Sequence, residues 1–371
     1  LYLDSLHITH FKNIATARLQ FSPRLNCFSG LNGMGKTNIL DAVHFLCLCK
    51  SHRSLPDRSL VQIGADFFRL EGVFQRDQER QKVVAKFGAG RQKEFERNGA
   101  TVSKLADFIG LFPVVMIAPD DAELVQEGSE ERRRFLDMSL SQIDPDYLRN
   151  LLLYNNLLRR RNALLKSFAE ERRFDPVLLE AYDRQMPAPA ASVHAARRAF
   201  VADFQPLLQE YYAVISGGRE SASLEYSSDL DRADMAALLR ENLDKDRALQ
   251  RTAAGPHRDD LALQLDGLAV KKYASQGQMK SFLLSMRLAQ YDILRREKQM
   301  APLFLLDDIF DKLDSRRVRQ LVGLLIERQF GQIFITDTQP ERIREIVEAF
   351  PGDHQLFEVS EGAVRLSSSA M

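Results

Sequence analysis

Apolar and polar residues alternate over the first 21 positions, with Tyr2, Leu6, Ile8 and Phe11, then Ala17, Leu19 and Phe21, as the apolar set. That period of two predicts two antiparallel strands joined through Lys12-Asn13. Leu25 to Ser29 is a short run ending at Gly30, and apolar positions at helical spacing follow from Thr37 to about Cys49. Alternation returns between 67 and 104, at Phe68 and Leu70, then Val83, Ala85 and Phe87, so this stretch reads as strands. Pro113 to Ala118 reads as one buried strand.

The pattern changes after Ser129. Ser129-Glu130-Glu131 places carboxylates at the positive end of a helix, and Asp144-Pro145 and Asp175-Pro176 are each an N-cap followed by proline at the first helical position. Leu148, Leu151, Leu152, Leu158 and Leu165 form an apolar stripe, expected to be core or a helix–helix seam. Pro187 and Pro189 are expected to break or kink any helix preceding them, with helical spacing resuming over 192–212 and 231–249. Residues 129–250 are therefore read as a mostly helical insertion. Alternation at Leu261, Leu263 and Leu265 runs into the hairpin signal Asp266-Gly267. A helix from about Gln278 to Lys298, a buried strand at Leu303–Leu306, a helix over 315–328, a strand at Ile333–Ile335 and a helix over 340–349 complete βαβ units.

Composition narrows the class without naming it. Apolar content of 45% and charged content of 27% are those of a globular chain, which excludes a disordered or collagenous one. Cys27, Cys47 and Cys49 contain no C-x-x-C pair, which argues against a disulfide framework and a structural zinc site. No signal peptide is visible at Leu1-Tyr2-Leu3-Asp4, and the most apolar window, 105–118, contains Asp107 and Pro113, so a cytoplasmic protein without a membrane partner is expected. Fifty-one basic residues balance 51 acidic ones. The balance is uneven along the chain: Arg76, Arg80, Lys82, Lys86, Arg91, Lys93, Arg97 and Lys104 outnumber Asp77, Glu79, Glu94 and Glu96. Long cations on one hairpin face would make a sequence-independent grip on phosphates, the alternative being a solvated face.

Gly30-Leu31-Asn32-Gly33-Met34-Gly35-Lys36-Thr37 matches G-x-x-x-x-G-K-[ST]. Such glycines let backbone N–H groups curl around a phosphate chain, Lys36 supplies a point charge to the β and γ phosphates of ATP, and Thr37 offers a hydroxyl to Mg²⁺. An apolar strand before the loop and an apolar helix after it are the context the motif needs. Leu303–Leu306 then delivers Asp307 as a second candidate for the Mg²⁺ shell, and Asp308 as the candidate that polarises the attacking water. Ser275-Gln276-Gly277-Gln278 opens the helix just upstream of that strand, either as an anion-facing terminus or as a plain helix cap.

In this order, with Lys312-Leu313-Asp314 in the place of a D-loop, the chain resembles the ABC-type ATPases. Within them it is similar to the RecF family of recombinational repair proteins, relatives of the SMC proteins. More specific marks are Asn32 in the P-loop, Ser51-His52-Arg53, Ala118-Pro119-Asp120-Asp121, the run Glu130 to Asp137, and Gly255-Pro256-His257-Arg258-Asp259-Asp260-Leu261. The resemblance implies an α/β fold: an ABC-ATPase P-loop head over 1–128 and 251–371, with a helical lid over 129–250. Helices of about 20–25 residues reach only about 30–38 Å, which suits a compact lid and leaves no room for long SMC arms.

The resemblance further implies a weak, DNA-stimulated ATPase that forms an ATP-dependent homodimer. Ser275 and Gly277 of one subunit, within the signature Ser275–Gln278, would touch the γ-phosphate held by Lys36 and Thr37 of the other. Partners would be double-stranded and gapped or junction DNA, with RecR and RecO in loading RecA. Two departures stand out: Asp308 replaces the usual Glu, which implies slow hydrolysis, and Thr336-Asp337-Thr338 lacks the switch histidine. A transporter ATPase subunit and a nucleotide-gated scaffold are the alternatives. His52 and Arg53 are read as near the nucleotide or as a solvated turn, Arg132–Arg134 as a solvated face, and Arg258 as a nucleotide or DNA contact or a partner of Asp259 or Asp260.

Overall fold

The computed structural model describes the chain except Ser54, Ala89, Arg91, residues 311–314, Pro351 and residues 368–371, together with the side chains of Ser315 and Arg316. Its chain divides into two compact units. The first comprises Leu1–Asp121, Val214–Gly217 and Lys280–Met371, and the second Ala122–Ala213 and Gly218–Met279.

In the first unit, the alternating N-terminal segment forms β1 (Tyr2–Phe11) and β2 (Ile14–Gln20), paired antiparallel with His7 opposite Arg18. β3 (Leu25–Ser29) leads into the P-loop and α1 (Lys36–Leu48). β4 (Phe67–Arg76), β5 (Glu79–Gly88), β6 (Glu94–Arg97) and β7 (Ala100–Thr101) extend the first sheet in the order β2-β1-β4-β5-β6-β7. One face of that sheet buries Leu6, Ile8, Phe68, Leu70, Val83 and Ala85. Phe45 of α1 meets Phe68 edge-on at 5.4 Å and stacks on Phe95 at 5.8 Å, so the helix after the P-loop is seated by aromatic packing.

A second sheet joins β8 (Val114–Ile117), β12 (Leu303–Asp307), β13 (Ile333–Asp337), β14 (His354–Ser360) and β15 (Ala363–Leu366) to β3 in the order β15-β14-β3-β13-β12-β8. β14, β3, β13, β12 and β8 run parallel, and β15 closes the edge as an antiparallel hairpin. β12 and β13 are apolar up to their last residues because strands buried on both faces have no polar side to show; β3 admits Asn26 because its amide is bonded to Ser22. β14 and β15 lie beyond the last helix read from sequence; of the side chains of the two strands only Phe357 and Val359 are buried, so the apolar signal is thin.

The second unit is built from α2 (Glu123–Gln126), α3 (Ser129–Ile143), α4 (Pro145–Glu170), α5 (Pro176–Asp183), most of α6 (Pro187–Ser216), α7 (Met235–Glu241) and α8 (Leu243–Leu249), with the single turn α9 (Val270–Tyr273). Its three-stranded sheet has β9 (Ala222–Ser227), β10 (Asp260–Leu265) and β11 (Leu268–Ala269) in the order β11-β10-β9. β9 falls inside the interval read as helical. Because it pairs with β10, Leu224 opposite Leu263, residues 251–279 group with this unit and not with the head as expected from the sequence. The aspartates before Pro145 and Pro176 cap as expected: Asp144 accepts from the Asp146 N–H at 2.8 Å, and Asp175 from that of Val177 at 3.0 Å.

Three expectations are corrected here. The helix before Pro187 does end, α5 stopping at Asp183, but helix resumes at Pro187 itself and not at 192: Pro187 and Pro189 occupy the first turn of α6, where proline lacks only an N–H that the turn leaves unused. The helix over 231–249 is two helices that meet at Asn242. Of the leucine stripe, Leu148, Leu151 and Leu165 are buried, but Leu152 is 52% exposed.

Two buried arginines organise this unit. Arg197 donates to Asp137 (2.8 Å), Asp259 (2.7 Å) and the Pro256 carbonyl (2.7 Å), while Arg161 donates to Asp183 (2.6 Å), Asp246 (2.6 Å) and Thr252 (2.9 Å). Buried guanidinium is tolerated because carboxylates answer its charge, although Arg161 Nη2 is left without a hydrogen-bond partner among the described residues. Arg132 is likewise tied to Asp260 through Nε (2.7 Å) and Nη2 (3.1 Å), and Arg133 donates to the Asp259 carbonyl at 2.7 Å. The Arg132–Arg134 run is therefore not a solvated face but a strap onto β10; Arg134 pairs with Glu131 on its own helix.

No helix among the described residues is long and apolar enough to cross a membrane. α10 (Gln276–Lys298), α11 (Ser315–Glu327) and α12 (Pro340–Ala349) complete the chain.

Candidate nucleotide site

The P-loop occupies the turn from β3 into α1, and its shape follows from close approaches that only glycine permits. A Cβ on Gly30 would lie 2.2 Å from the Val359 carbonyl oxygen of β14. Gly35, at φ +114°, forms the helix start, and a Cβ there would lie 2.7 Å from Asn13 Oδ1. No side chain caps α1 at this end, so its first N–H groups face outward where an anion would be held by the helix terminus.

Two loops back this turn. Asn13, between β1 and β2, accepts from Asn38 Nδ2 at 2.7 Å. The β14–β15 turn binds the P-loop from the other side, the Gly362 N–H donating to the Met34 carbonyl at 2.9 Å. Neither support was visible in the sequence, because each lies far along the chain from the motif it holds.

Lys36 is 5% exposed, and its ammonium donates to the Gly30 and Leu31 carbonyls at 2.7 and 3.0 Å. The charge is thus folded back over the loop it serves, within reach of any anion the loop encloses. Asn32 and Gly33 are exposed at the loop tip, and Leu31 is 72% exposed.

Thr37 and Asp307 come together across the parallel sheet. Thr37 Oγ1 donates into the Asp307 carboxylate, at 3.0 Å from Oδ1 and 2.9 Å from Oδ2. The Thr336 hydroxyl, at the end of β13, also donates to Asp307 Oδ1 at 2.8 Å and accepts from the Asp308 N–H at 2.9 Å. Asp308 leaves the strand at φ +49°, a left-handed conformation that Asp tolerates better than most residues. Burial raises the Asp307 pKa, against the hydrogen bonds from Thr336 and Thr37.

This donor set fits Mg²⁺. It offers a hydroxyl and a carboxylate, hard oxygen ligands, and a buried carboxylate that a cation would favour in its ionised form. Among the described residues no group of three or more His, Cys, Asp or Glu side chains could hold a metal by itself. That is expected of Mg²⁺ at phosphates, which keeps few protein ligands and completes its shell with water and phosphate oxygens.

Thr336 was noticed in the sequence only as the place where a switch histidine is missing. In the structure its hydroxyl is what holds Asp307 and the Asp308 backbone in place. Asp337 beside it is tied to Arg342 at 3.1 Å.

Ser51 is buried and His52 partly buried, while Arg53 is 56% exposed, and all three are held by carboxylates. Asp41 of α1 gathers the Lys12 ammonium, the Ser51 hydroxyl and the His52 N–H, each at 2.7 Å. Arg53 Nε and the His52 ring reach Asp120 at 3.0 and 3.6 Å. Burial pushes the Asp120 carboxyl up, but the hydrogen bond and charge of His52 and the charge of Arg53 hold it below the usual range. Asp121 takes Arg287 in a two-pronged pair, with Nε at 3.1 Å from Oδ2. The Ala118–Asp121 segment thus ties the loop after α1 to α10.

The signature candidates lie in the second unit. Ser275 and Gln278 form a reciprocal cap: the Ser275 N–H donates to Gln278 Oε1 at 2.6 Å, and the Gln278 N–H to Ser275 Oγ at 3.3 Å. Gln278 Nε2 also donates to Glu220 at 2.6 Å. Gln276 and Gly277 sit in the first turn of α10, so the segment is a helix cap. Arg258 is exposed, while Asp259 and Asp260 are taken by Arg197 and Arg132. Lys312-Leu313-Asp314 lies outside the described residues.

The RecF/RecN/SMC N-terminal domain family matches residues 2–352. The DNA replication and repair protein RecF of Parabacteroides distasonis is 40% identical over 365 residues, covering 98% of this chain and 99% of that protein. RecF of Porphyromonas gingivalis is 41% identical over 367 residues, covering 98% of this chain and 100% of that protein. Among solved structures, the recombination mediator protein RecF with ATP, from the RecFOR pathway, superposes with a TM-score of 0.89 at 28% identity, over 99% of this chain and 98% of that one. An Smc head bound to the C-winged helix domain of ScpA shares the fold alone, at a TM-score of 0.59 and 15% identity over 99% and 97% of the two chains. A P-loop backed by a parallel sheet, an aspartate strand beneath it and full-length relatives of one kind lead to a single conclusion: the chain is an ABC-type ATPase of the RecF family of DNA replication and repair proteins.

Proposed function

We propose that this protein is an ATP-gated DNA clamp of recombinational repair. The observation that carries the reading is the meeting of Thr37 with Asp307 beside Lys36, which assembles hydroxyl, carboxylate and ammonium where Mg²⁺·ATP would sit. Lys36 would exchange its two loop carbonyls for the β and γ phosphates, and the loop N–H groups with the uncapped start of α1 would hold the phosphate chain. Bound Mg²⁺ would supply charge neutralisation between the phosphates, with Thr37 and Asp307 as its protein ligands. Asp308 orients and deprotonates the attacking water; one methylene shorter than the Glu of related ATPases, it makes turnover slow.

In this reading Ser275 and Gly277 of one subunit contact the γ-phosphate held by the other, so ATP closes a homodimer and hydrolysis opens it. Exposed apolar side chains support this: Leu31 in the P-loop is 72% exposed, and Leu268 and Tyr273, just before the signature, are 53% and 58% exposed. The dimer acts on double-stranded and gapped DNA together with RecR and RecO, as the RecFOR pathway named for the ATP-bound neighbour suggests. The two relatives named above, both DNA replication and repair proteins, favour this over a transporter subunit. An ATPase assay with and without duplex DNA tests it. Slow turnover that rises with DNA is expected; turnover indifferent to DNA would leave a nucleotide-gated scaffold as the better account.

A further inference from the structure

The first sheet has one face buried against α1 and one that is not, and the second face carries charge in an order no single sequence segment shows. Register places Arg18 of β2 opposite His7 of β1, and His7 opposite Glu71 of β4. On the next strand Lys82 lies opposite Val73, and Arg80 opposite Gln75. An open groove of about 650 Å³ runs across this face, lined by Arg18, Arg80, Lys82, His7, Gln20 and Asn98. Its one acidic liner, Glu71, is already held by Lys82 and Arg69, each at 2.7 Å. Arg18 and Arg80 are exposed and add two positive charges beyond that balance.

Among the described residues, four other cations of the β4–β7 region have partners elsewhere. Lys86 pairs with Glu96; Lys93 binds Asp57 at 3.0 Å and the Cys49 carbonyl at 2.7 Å; Arg97 donates to Gln81 at 2.9 Å; and Arg76 donates to the Leu111 carbonyl at 3.0 Å. The surplus charge on this face is therefore concentrated in the groove.

We infer that the outer face of this sheet, centred on Arg18, Arg80 and Lys82, is a docking surface for the phosphate backbone of DNA. The inference rests on the DNA-clamp reading above and gives it a surface. Arg18 and the β5 cations are three strands apart, about 14 Å at roughly 4.8 Å per strand, so they reach different phosphates. The groove offers no fully exposed apolar anchor: Leu6 and Leu19 line it but are 1% and 5% exposed, and the remaining apolar liner, Val73, is partly buried. A protein partner would need such an anchor for affinity, whereas a phosphate backbone needs only spaced cations; the Gln20 and Asn98 amides beside them donate to Asp4 at 2.8 Å and Gln81 at 3.2 Å.

The test is duplex DNA binding with ATP and Mg²⁺, followed by fluorescence anisotropy between about 50 and 200 mM salt, for wild type, the Arg18→Gln/Arg80→Gln double variant and the corresponding double Glu variant. ATP affinity and DNA-free ATPase serve as controls for folding. The Gln variant should lose about 10-fold or more in affinity, with a salt slope smaller by about 2, because roughly 0.9 of slope goes with each phosphate contact. The Glu variant should lose more, with both controls unchanged. Wild-type affinity and slope in variants with normal controls would overturn this surface and leave the clamp reading standing. Variants that bind DNA normally but lose binding of a polyglutamate probe would reassign the face to an acidic protein and overturn the inference. Failure of the wild type to bind DNA with ATP would sink both.

Discussion

Thr37 and Asp307, 270 residues apart in sequence, share a two-pronged hydrogen bond in which the threonine hydroxyl lies 2.9 and 3.0 Å from the two carboxylate oxygens. Parallel pairing of β3 with β13 and of β13 with β12 makes the contact possible, since it brings the ends of these strands to one edge. In the proposed site both groups serve the same Mg²⁺. Thr37→Val, which keeps the shape and removes the hydroxyl, should weaken ATP binding about 10- to 100-fold with Mg²⁺ present, the scale of a lost hydrogen bond to a charged group. Binding in EDTA should change little. Calorimetry under both conditions checks this, and equal losses in the two would assign Thr37 a structural role only.

Asp308 follows the strand at φ +49° with its N–H held by Thr336, so its backbone is fixed whatever its side chain does. Asp308→Asn should leave ATP affinity near wild type and lower turnover by about 10²–10⁴-fold, the range for loss of a general base. Single-turnover hydrolysis measures it. A normal rate would remove Asp308 from the chemistry.

How much of this was legible in advance differs by element. The P-loop and Asp307 declare themselves because each is a local pattern, a glycine-spaced loop and an apolar run ending in an acid. Asn13, Thr336 and the Gly362 turn do not, because their roles arise only where distant segments touch the loop. β9 was hidden for a related reason: Ala222–Ser227 alternates weakly, and its pairing with β10 rather than its own sequence makes it a strand. Arg132 and Arg197 look like surface charge until Asp260 and Asp259 are seen opposite them.

The second unit carries a stability prediction. Arg161 is fully buried between Asp183 and Asp246, and the Asp246 carboxyl is itself buried. Arg161→Met strands Asp246 and should cost about 3–5 kcal/mol by urea denaturation. The exposed pair Arg184–Glu180 on one helix should cost no more than about 0.5 kcal/mol when Arg184 becomes Ala. Comparable losses for the two would contradict the weight given to the buried network.

Acid sensitivity follows from one buried histidine, His44, and one partly buried one, His257. Burial pushes His44 down to about 3, with the His52 charge adding to the effect, and burial pushes His257 down to about 4. Both stay neutral in the folded state where the unfolded chain, near pKa 6.5, takes up protons. Each therefore contributes nothing above pH 6.5 and destabilises increasingly as pH falls toward its folded value, by about 1.4 kcal/mol per pH unit. His44→Gln should make stability between about pH 6 and 4 fall less steeply, by about one proton's worth of slope. Denaturation midpoints across that range give the answer, and an unchanged slope would contradict a neutral, buried His44.

Everything proposed for the clamp depends on ATP seated at Lys36 joining two copies of the chain. Sedimentation velocity of wild type and Lys36→Ala, each with and without Mg²⁺·ATP, tests that dependence most directly. The account predicts a dimer for wild type with ATP only, and a monomer for Lys36→Ala under both conditions. A dimer that forms without ATP, or that Lys36→Ala still forms when ATP is added, would contradict it.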